Sequence, residues 1–195
     1  MIKNICIFAS SCNFLDEIYC SDAKKLGFLM AKEGYNLIYG GSSLGLMWMC
    51  ANEVKQNGKK ITGIMPEKLK EMAENSNSCD EFYVTKGMRE RKALMDEMSD
   101  AIIALPGGFG TLEELSEMIV QKQLGYNKKA IVILNTNGFY NNLLKFFDDI
   151  FEQKFANKKA KNLYYVAKSP DDAIEYLKNY KPQNLEVTKE EIYSR

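Results

Sequence analysis

A chain of 195 residues, 46% of them hydrophobic, is long enough for one domain with a substantial core. Lys plus Arg and Asp plus Glu number 26 each, which excludes the basic balance of a nucleic-acid-binding chain. The sequence has no histidine, so Ser-His and Cys-His nucleophile pairs, imidazole acid–base catalysis and His metal sites are excluded.

No apolar run is long enough to span a bilayer, so no membrane contact is expected. Residues 1–9 read as a first strand ending in a turn rather than as a signal peptide. The five cysteines (Cys6, Cys12, Cys20, Cys50 and Cys79) are odd in number and form no Cys-x-x-Cys pair. A reduced, cytoplasmic protein is the simplest expectation.

Ile5 to Ala9 is the first apolar strand, and Ser10-Ser11-Cys12-Asn13 is a small polar turn at its end. Hydroxyls there would either hold a phosphate or ribose or simply cap the next helix. Helical spacing runs from about Leu15 to Lys32 through Ile18, Leu26, Leu29 and Met30, and Gly34 reads as its stop. Tyr35 to Tyr39 is a second strand. It enters a Gly/Ser turn, Gly40-Gly41-Ser42-Ser43-Leu44-Gly45, that opens a helix to about Gln56. Ser42 stands where a Gly-x-Gly-x-x-Gly dinucleotide fingerprint needs glycine, so a nucleoside monophosphate suits this turn better than NAD.

Ile61 to Met65 forms a third strand ended by Pro66, and Phe82-Tyr83-Val84 a short fourth. Between them, residues 67–80 read as either a mobile segment or a short helix. Residues 87–98 form a helix with a stripe of Met88, Leu94, Met95 and Met98. Arg91 falls on that stripe, and a charge on a buried face needs a partner. A structural ion pair, a stem reaching outward to water, or a catalytic role would each satisfy it.

The richest stretch follows. Ala101 to Leu105 is an apolar strand, and Pro106-Gly107-Gly108-Phe109-Gly110-Thr111 leads into a helix through Leu112, Leu115, Ile119 and Val120. Glycines let a ligand approach the backbone, and a helix N-terminus offers unpaired N–H groups to an anion. Two carboxylates, Glu113 and Glu114, come next. The competing reading is a capping box, Thr111 to Glu114, in which Glu114 merely accepts a backbone N–H.

That helix closes at Gly125-Tyr126-Asn127, and Ala130 to Leu134 is another buried strand. The helix from Phe139 to Phe151 is apolar around much of its circumference, which fits either a subunit contact or a core position. Leu163 to Ala167 is the last strand, and Ser169-Pro170 cap and open the final helix. Residues 181–195 read as a polar tail. Alternating strands and helices, with strands lacking strict polar alternation, predict a single α/β domain over residues 1–180. Its open parallel sheet is covered by helices on both faces.

Pro106-Gly107-Gly108-Phe109-Gly110-Thr111-Leu112-Glu113-Glu114 resembles the Pro-Gly-Gly-x-Gly-Thr-x-x-Glu motif of the LONELY GUY (LOG) family. These are cytokinin riboside 5′-monophosphate phosphoribohydrolases, formerly labelled lysine decarboxylases. Met88-Arg89-Glu90-Arg91-Lys92 looks like the family's Met-His-x-Arg-Lys motif, and Tyr39 to Met47 its Tyr-Gly-Gly-Gly-x-x-Gly-Leu-Met turn. Gly63-Ile64-Met65-Pro66 and Gly138-Phe139-Tyr140-Asn141 extend the likeness. Departures are Arg89 for His, Ser42 for the third glycine, Trp48 for a small residue, and Ala9-Ser10-Ser11-Cys12 for Cys-Gly-Ser-Ser. Ser42 and Trp48 bear on the base pocket.

The resemblance implies a Rossmann-like sheet, a homodimer with active sites shared near the subunit interface, and no metal or other cofactor. It implies hydrolysis of a nucleoside 5′-monophosphate, AMP or an N6-modified AMP, to free base and ribose 5-phosphate. Glu114 and Arg91 would be catalytic. Substrate contacts would fall to Ser11, Gly41, Ser42, Met88, Lys92, Gly107, Gly108, Phe109, Gly110, Thr111 and Glu113. Glu113 would either meet the ribose hydroxyls or favour the helix dipole. The alternative is a non-catalytic nucleotide or cofactor carrier of Rossmann-like fold, which needs no carboxylate at the anomeric carbon. Pyridoxal-dependent decarboxylation is disfavoured, because no lysine stands out as a Schiff-base residue.

Overall fold

The computed structural model describes residues 2–71 and 78–182. Seven strands run in chain order: β1 (Asn4–Phe8), β2 (Asn36–Tyr39), β3 (Ile61–Pro66), β4 (Glu81–Thr85), β5 (Ala101–Ala104), β6 (Ala130–Leu134) and β7 (Tyr165–Ala167). They form one sheet in the order β4-β3-β2-β1-β5-β6-β7, with every pairing parallel. This is the expected Rossmann-like open sheet. Helices α1 (Glu17–Lys32), α2 (Gly45–Gln56) and α7 (Pro170–Asn179) pack on one face. On the other lie α4 (Met88–Met98), α5 (Phe109–Gln123) and α6 (Asn141–Glu152).

Central strands are apolar on both faces because both are covered. In β1, Ile5 and Ile7 face one core and Cys6 and Phe8 the other. Burying each large aliphatic side chain of this kind stabilises the fold by about 1.5–3 kcal/mol. Cys6 pairs with Ile38 on one side and Ile102 on the other, so β1 is the sheet's centre. The chain leaves β1 toward β2, β3 and β4, then returns to lay β5 on its opposite side. The strand order therefore reverses between β1 and β5. Crevices at the C-terminal ends of strands at such a switch point are where open α/β sheets bind ligands.

Several local expectations change in the folded chain. Helix α1 starts at Glu17 with Asp16 before it, so neither Ser10 nor Ser11 caps it. Instead Ser10 joins the crossing of three loops: its N–H donates to the Pro106 carbonyl at 3.1 Å, and its carbonyl accepts from Leu46 at 2.9 Å. Glu67–Lys70 forms one helical turn, α3, while residues 72–77 lie outside the described residues, as do 183–195 of the tail. Leu163 ends a 3-10 turn rather than joining β7. Helix α6 is not buried on several sides. Phe151 is its one fully buried residue, Leu143, Leu144 and Phe147 pack partly, and Phe146 is more than half exposed. Met88 is nearly half exposed, so the α4 stripe faces the core only from Arg91 onward. The cap of α7 is as expected: Ser169 Oγ accepts the Asp172 N–H at 3.2 Å, with Pro170 in the first turn.

Candidate active site

Helix α5 begins at Phe109, and Gly108 is its N-cap residue. Thr111 is therefore a helical residue rather than a cap, and the capping-box reading of Glu114 falls. Gly108 has no side chain to cap with, and no acidic residue lies in the first turn. The first helical hydrogen bond is Leu112 N–H to Gly108 O, at 3.1 Å. The N–H groups of the preceding residues point out of the helix end with its positive dipole, at the switch point. Gly107 is required for this approach. A Cβ there would run into the Thr111 side chain and come within 3.0 Å of the Ser10 nitrogen.

Glu114 lies one turn further and points inward. It is 8% exposed, and Arg91 from α4 is 7% exposed. Arg91 Nη1 donates to Glu114 Oε1 at 2.6 Å, and Arg91 Nε donates to the Ile64 carbonyl of β3 at 3.1 Å. The charge on the apolar stripe thus has its partner. Burial pushes the Glu114 carboxyl above its ordinary pKa, and the Arg91 guanidinium pulls it partly back. Cys6, beneath the pair in β1, is held as a neutral thiol by its complete burial.

The turn after β2 closes the other wall. Gly40 fits against Arg91: a Cβ would stand 2.7 Å from Nη2. Gly41, at φ +76°, lies against Phe82 and Gly63. Gly45, at φ +64°, packs on the backbone of Ser10 and Ser11, and its N–H donates to Asn13 Oδ1 at 2.8 Å. Three loops, after β1, β2 and β5, are thereby locked together at the C-terminal ends of the strands. Among the described residues, no three acidic or thiol side chains gather as a metal ion would require.

Residues 47–177 match the protein family described as possible lysine decarboxylase. Over 185 residues the chain is 37% identical to the probable cytokinin riboside 5′-monophosphate phosphoribohydrolase LOGL2 of Oryza sativa subsp. japonica, covering 95% of this chain and 76% of that one. It is 36% identical over 185 residues to the cytokinin riboside 5′-monophosphate phosphoribohydrolase LOG1 of Arabidopsis thaliana, covering 95% and 87%. The chain belongs to the LOG family. Among solved structures, the molybdenum cofactor carrier protein MCP of Chlamydomonas reinhardtii matches with a TM-score of 0.70 and 25% identity, over 91% of this chain and 97% of that one.

The LOG motif residues are distributed unevenly over these loops and helix ends. Arg91 and Glu114 meet, as do Lys92 and Glu113 across α4 and α5. Gly107 and Thr111 touch within the glycine-rich turn. Gly108, Phe109 and Gly110 are exposed at the helix end, Phe109 almost fully. Ser11 is exposed on the β1 loop, Ser42 is half-buried on the β2 loop, and Met88 stands at the start of α4. Sequence reasoning passed over Gly40, the Ile64 carbonyl, Asn13 and Glu117. Lys92 Nζ also lies 2.6 Å from Glu117 Oε2. Gly40, Ile64 and Asn13 lie in stretches the sequence marks as turns or family-like motifs, and Glu117 stands four residues after Glu113, hence on the same helix face.

Proposed function

We propose that this protein hydrolyses the N-glycosidic bond of nucleoside 5′-monophosphates, AMP or N6-modified AMP, to free base and ribose 5-phosphate. The observation that carries this reading is the buried Arg91–Glu114 pair, one turn from an uncapped glycine-rich helix start. A binding protein needs the anion cradle but has no use for a desolvated carboxylate beside it.

In this mechanism the N–H groups at Gly108 to Thr111 receive the 5′-phosphate. The ribose then lies toward Glu114. As the C1′–N bond breaks, the base leaves with the bonding pair and C1′ takes on oxocarbenium character. The Glu114 carboxylate stabilises that charge and accepts a proton from the water that bonds to C1′. The departing base takes its proton from solvent and Glu114 returns the water's proton to solvent, while Arg91 fixes the carboxylate and assists departure. The sequence likeness to the plant LOG relatives supports the same reading.

A second copy seated on the outer face of α5 and α6 would give the homodimer that the family resemblance implies. This face carries an apolar groove of about 170 Å³ lined by Ile119, Val120, Phe147, Ile150 and Tyr164, with Val120 half exposed. Light scattering tests it: a dimer is expected, and a clean monomer removes shared sites from the proposal. The cytoplasmic assignment is supported by five unpaired cysteines, and no helix among the described residues is long and apolar enough to cross a membrane. The carrier reading draws on the likeness to the Chlamydomonas protein. Base release from AMP, with the chain's nucleotide affinity measured alongside, separates the two: binding without release favours a carrier.

A further inference from the structure

Arg91 and Lys92 are adjacent on α4 and so point in different directions. Arg91 turns into the sheet edge. Lys92 runs along the outside toward α5, where Glu113 and Glu117 lie one turn apart on the same face. Lys92 pairs with both, the second at 2.6 Å. Its side chain is 17% exposed, against 54% for Glu113 and 37% for Glu117. The ammonium is thus bridged between two carboxylates, and Glu117 in turn accepts from Gln121 at 3.5 Å. Two ion-pair tiers bridge α4 and α5: an inner one of Arg91 and Glu114 and an outer one of Lys92, Glu113 and Glu117.

We propose that Lys92 is a positioning residue for Glu114: its charge offsets the like charge of Glu113 and its two bridges fix the register of α4 against α5. This rests on the proposed hydrolase reading and gives Lys92 a different task from contact with substrate. Among the described residues, the charged and titratable groups that act on Glu114 are Arg91 and Lys92 from α4, Glu113 from its own helix, and the Cys6 thiol from β1. Burial raises the Glu114 carboxyl most; Arg91 opposes it most, Glu113 adds to the rise, and Lys92 subtracts from it. Lys92 itself is held protonated by its hydrogen bonds to Glu113 and Glu117. Removing the ammonium leaves Glu113 unopposed beside Glu114.

The test uses the full chain as wild type, Lys92→Met, Lys92→Arg, Glu113→Gln and the Lys92→Met/Glu113→Gln double variant. The Glu114 carboxyl is titrated by ¹³C NMR without nucleotide, assigned with Glu114→Gln, and the acidic limb of kcat/KM for AMP is recorded in parallel. Lys92→Met is expected to shift the Glu114 midpoint upward by about half a pH unit, and Glu113→Gln to shift it down by a similar amount. Lys92→Arg restores the wild-type midpoint, and the double variant returns toward it. An unshifted midpoint in Lys92→Met overturns the proposal, and so does an unshifted midpoint accompanied by a more than tenfold rise in KM, which would make Lys92 a substrate ligand. Should Lys92→Met not fold, an unmoved midpoint in Glu113→Gln overturns it equally. If the wild type releases no base, the hydrolase reading fails while the NMR titration still decides the electrostatic role of Lys92.

Discussion

Replacing Arg91 with Met tests how the inner tier is held. The side chains of Arg91 and Glu114 are 8% and 9% exposed, so the substitution strands a largely buried carboxylate without its partner. Removing one partner of a buried pair costs about 3–5 kcal/mol, and the lost hydrogen bond to the Ile64 carbonyl adds about 1 kcal/mol. The stranded carboxylate has an escape: it can take up a proton. Its folded pKa, already raised by burial, rises further without Arg91. A raised folded pKa means the folded chain keeps a proton that the unfolded chain releases near pH 4.3. The variant is therefore least impaired below that pH, and loses up to about 1.4 kcal/mol per pH unit as pH rises toward the folded pKa. Urea unfolding at about pH 5 and about pH 7.5 reads this directly. The expected deficit is larger at the higher pH, and Arg91→Met/Glu114→Leu recovers most of it. A deficit below about 1 kcal/mol at both pH values, or strictly additive single variants, would refute the buried pair.

Lys122 of α5 is 4% exposed, donates to Tyr180 Oη at 3.2 Å, and has no carboxylate within ion-pair distance among the described residues. Burial lowers its pKa from 10.5 to about 8, so the charged form destabilises the fold below about pH 8, and stability recovers by at most about 3 kcal/mol between pH 8 and 10.5. Lys122→Met is expected to unfold at higher urea than wild type near pH 7, with the gain fading toward pH 10; a less stable variant at pH 7 contradicts the assignment. Gly40→Ala puts a methyl 2.7 Å from Arg91 Nη2 and 3.3 Å from Met47 Sδ. Steady-state kinetics should show kcat lower by about ten- to a hundredfold through displacement of the guanidinium, and unchanged kcat would mean that Arg91 need not stay in place. In wild type, kcat/KM falls as acid protonates Glu114, with a midpoint above the ordinary glutamate value of about 4.3, because burial raises this carboxyl. A midpoint at or below that value contradicts a buried catalytic carboxylate.

The sheet was legible because its central strands are unbroken apolar runs separated by glycine turns. Arg91 could be singled out because a charge on an apolar stripe is a local conflict, and such conflicts mark functional positions. Its partner could not be read from spacing. Thr111-Leu112-Glu113-Glu114 satisfies a capping box as a pattern, and only the helix start at Phe109, three residues before Leu112, shows that Thr111 is not a cap. The aromatic richness of α6 suggested a helix apolar around much of its circumference, yet its packed apolar side chains gather toward one side and leave Phe146 in the open. Gly40 shows a further limit. Its role is the space it leaves for a side chain 51 positions later in the chain, and no local pattern encodes that.

Base release from AMP and from N6-isopentenyladenosine monophosphate, followed by chromatography for wild type and Glu114→Gln, tests the central claim most directly. Wild type should yield free base and ribose 5-phosphate, and a folded Glu114→Gln should bind the nucleotide and release neither. Equal release by both proteins would remove Glu114 from the chemistry. Binding without release by the wild type would make this chain a carrier.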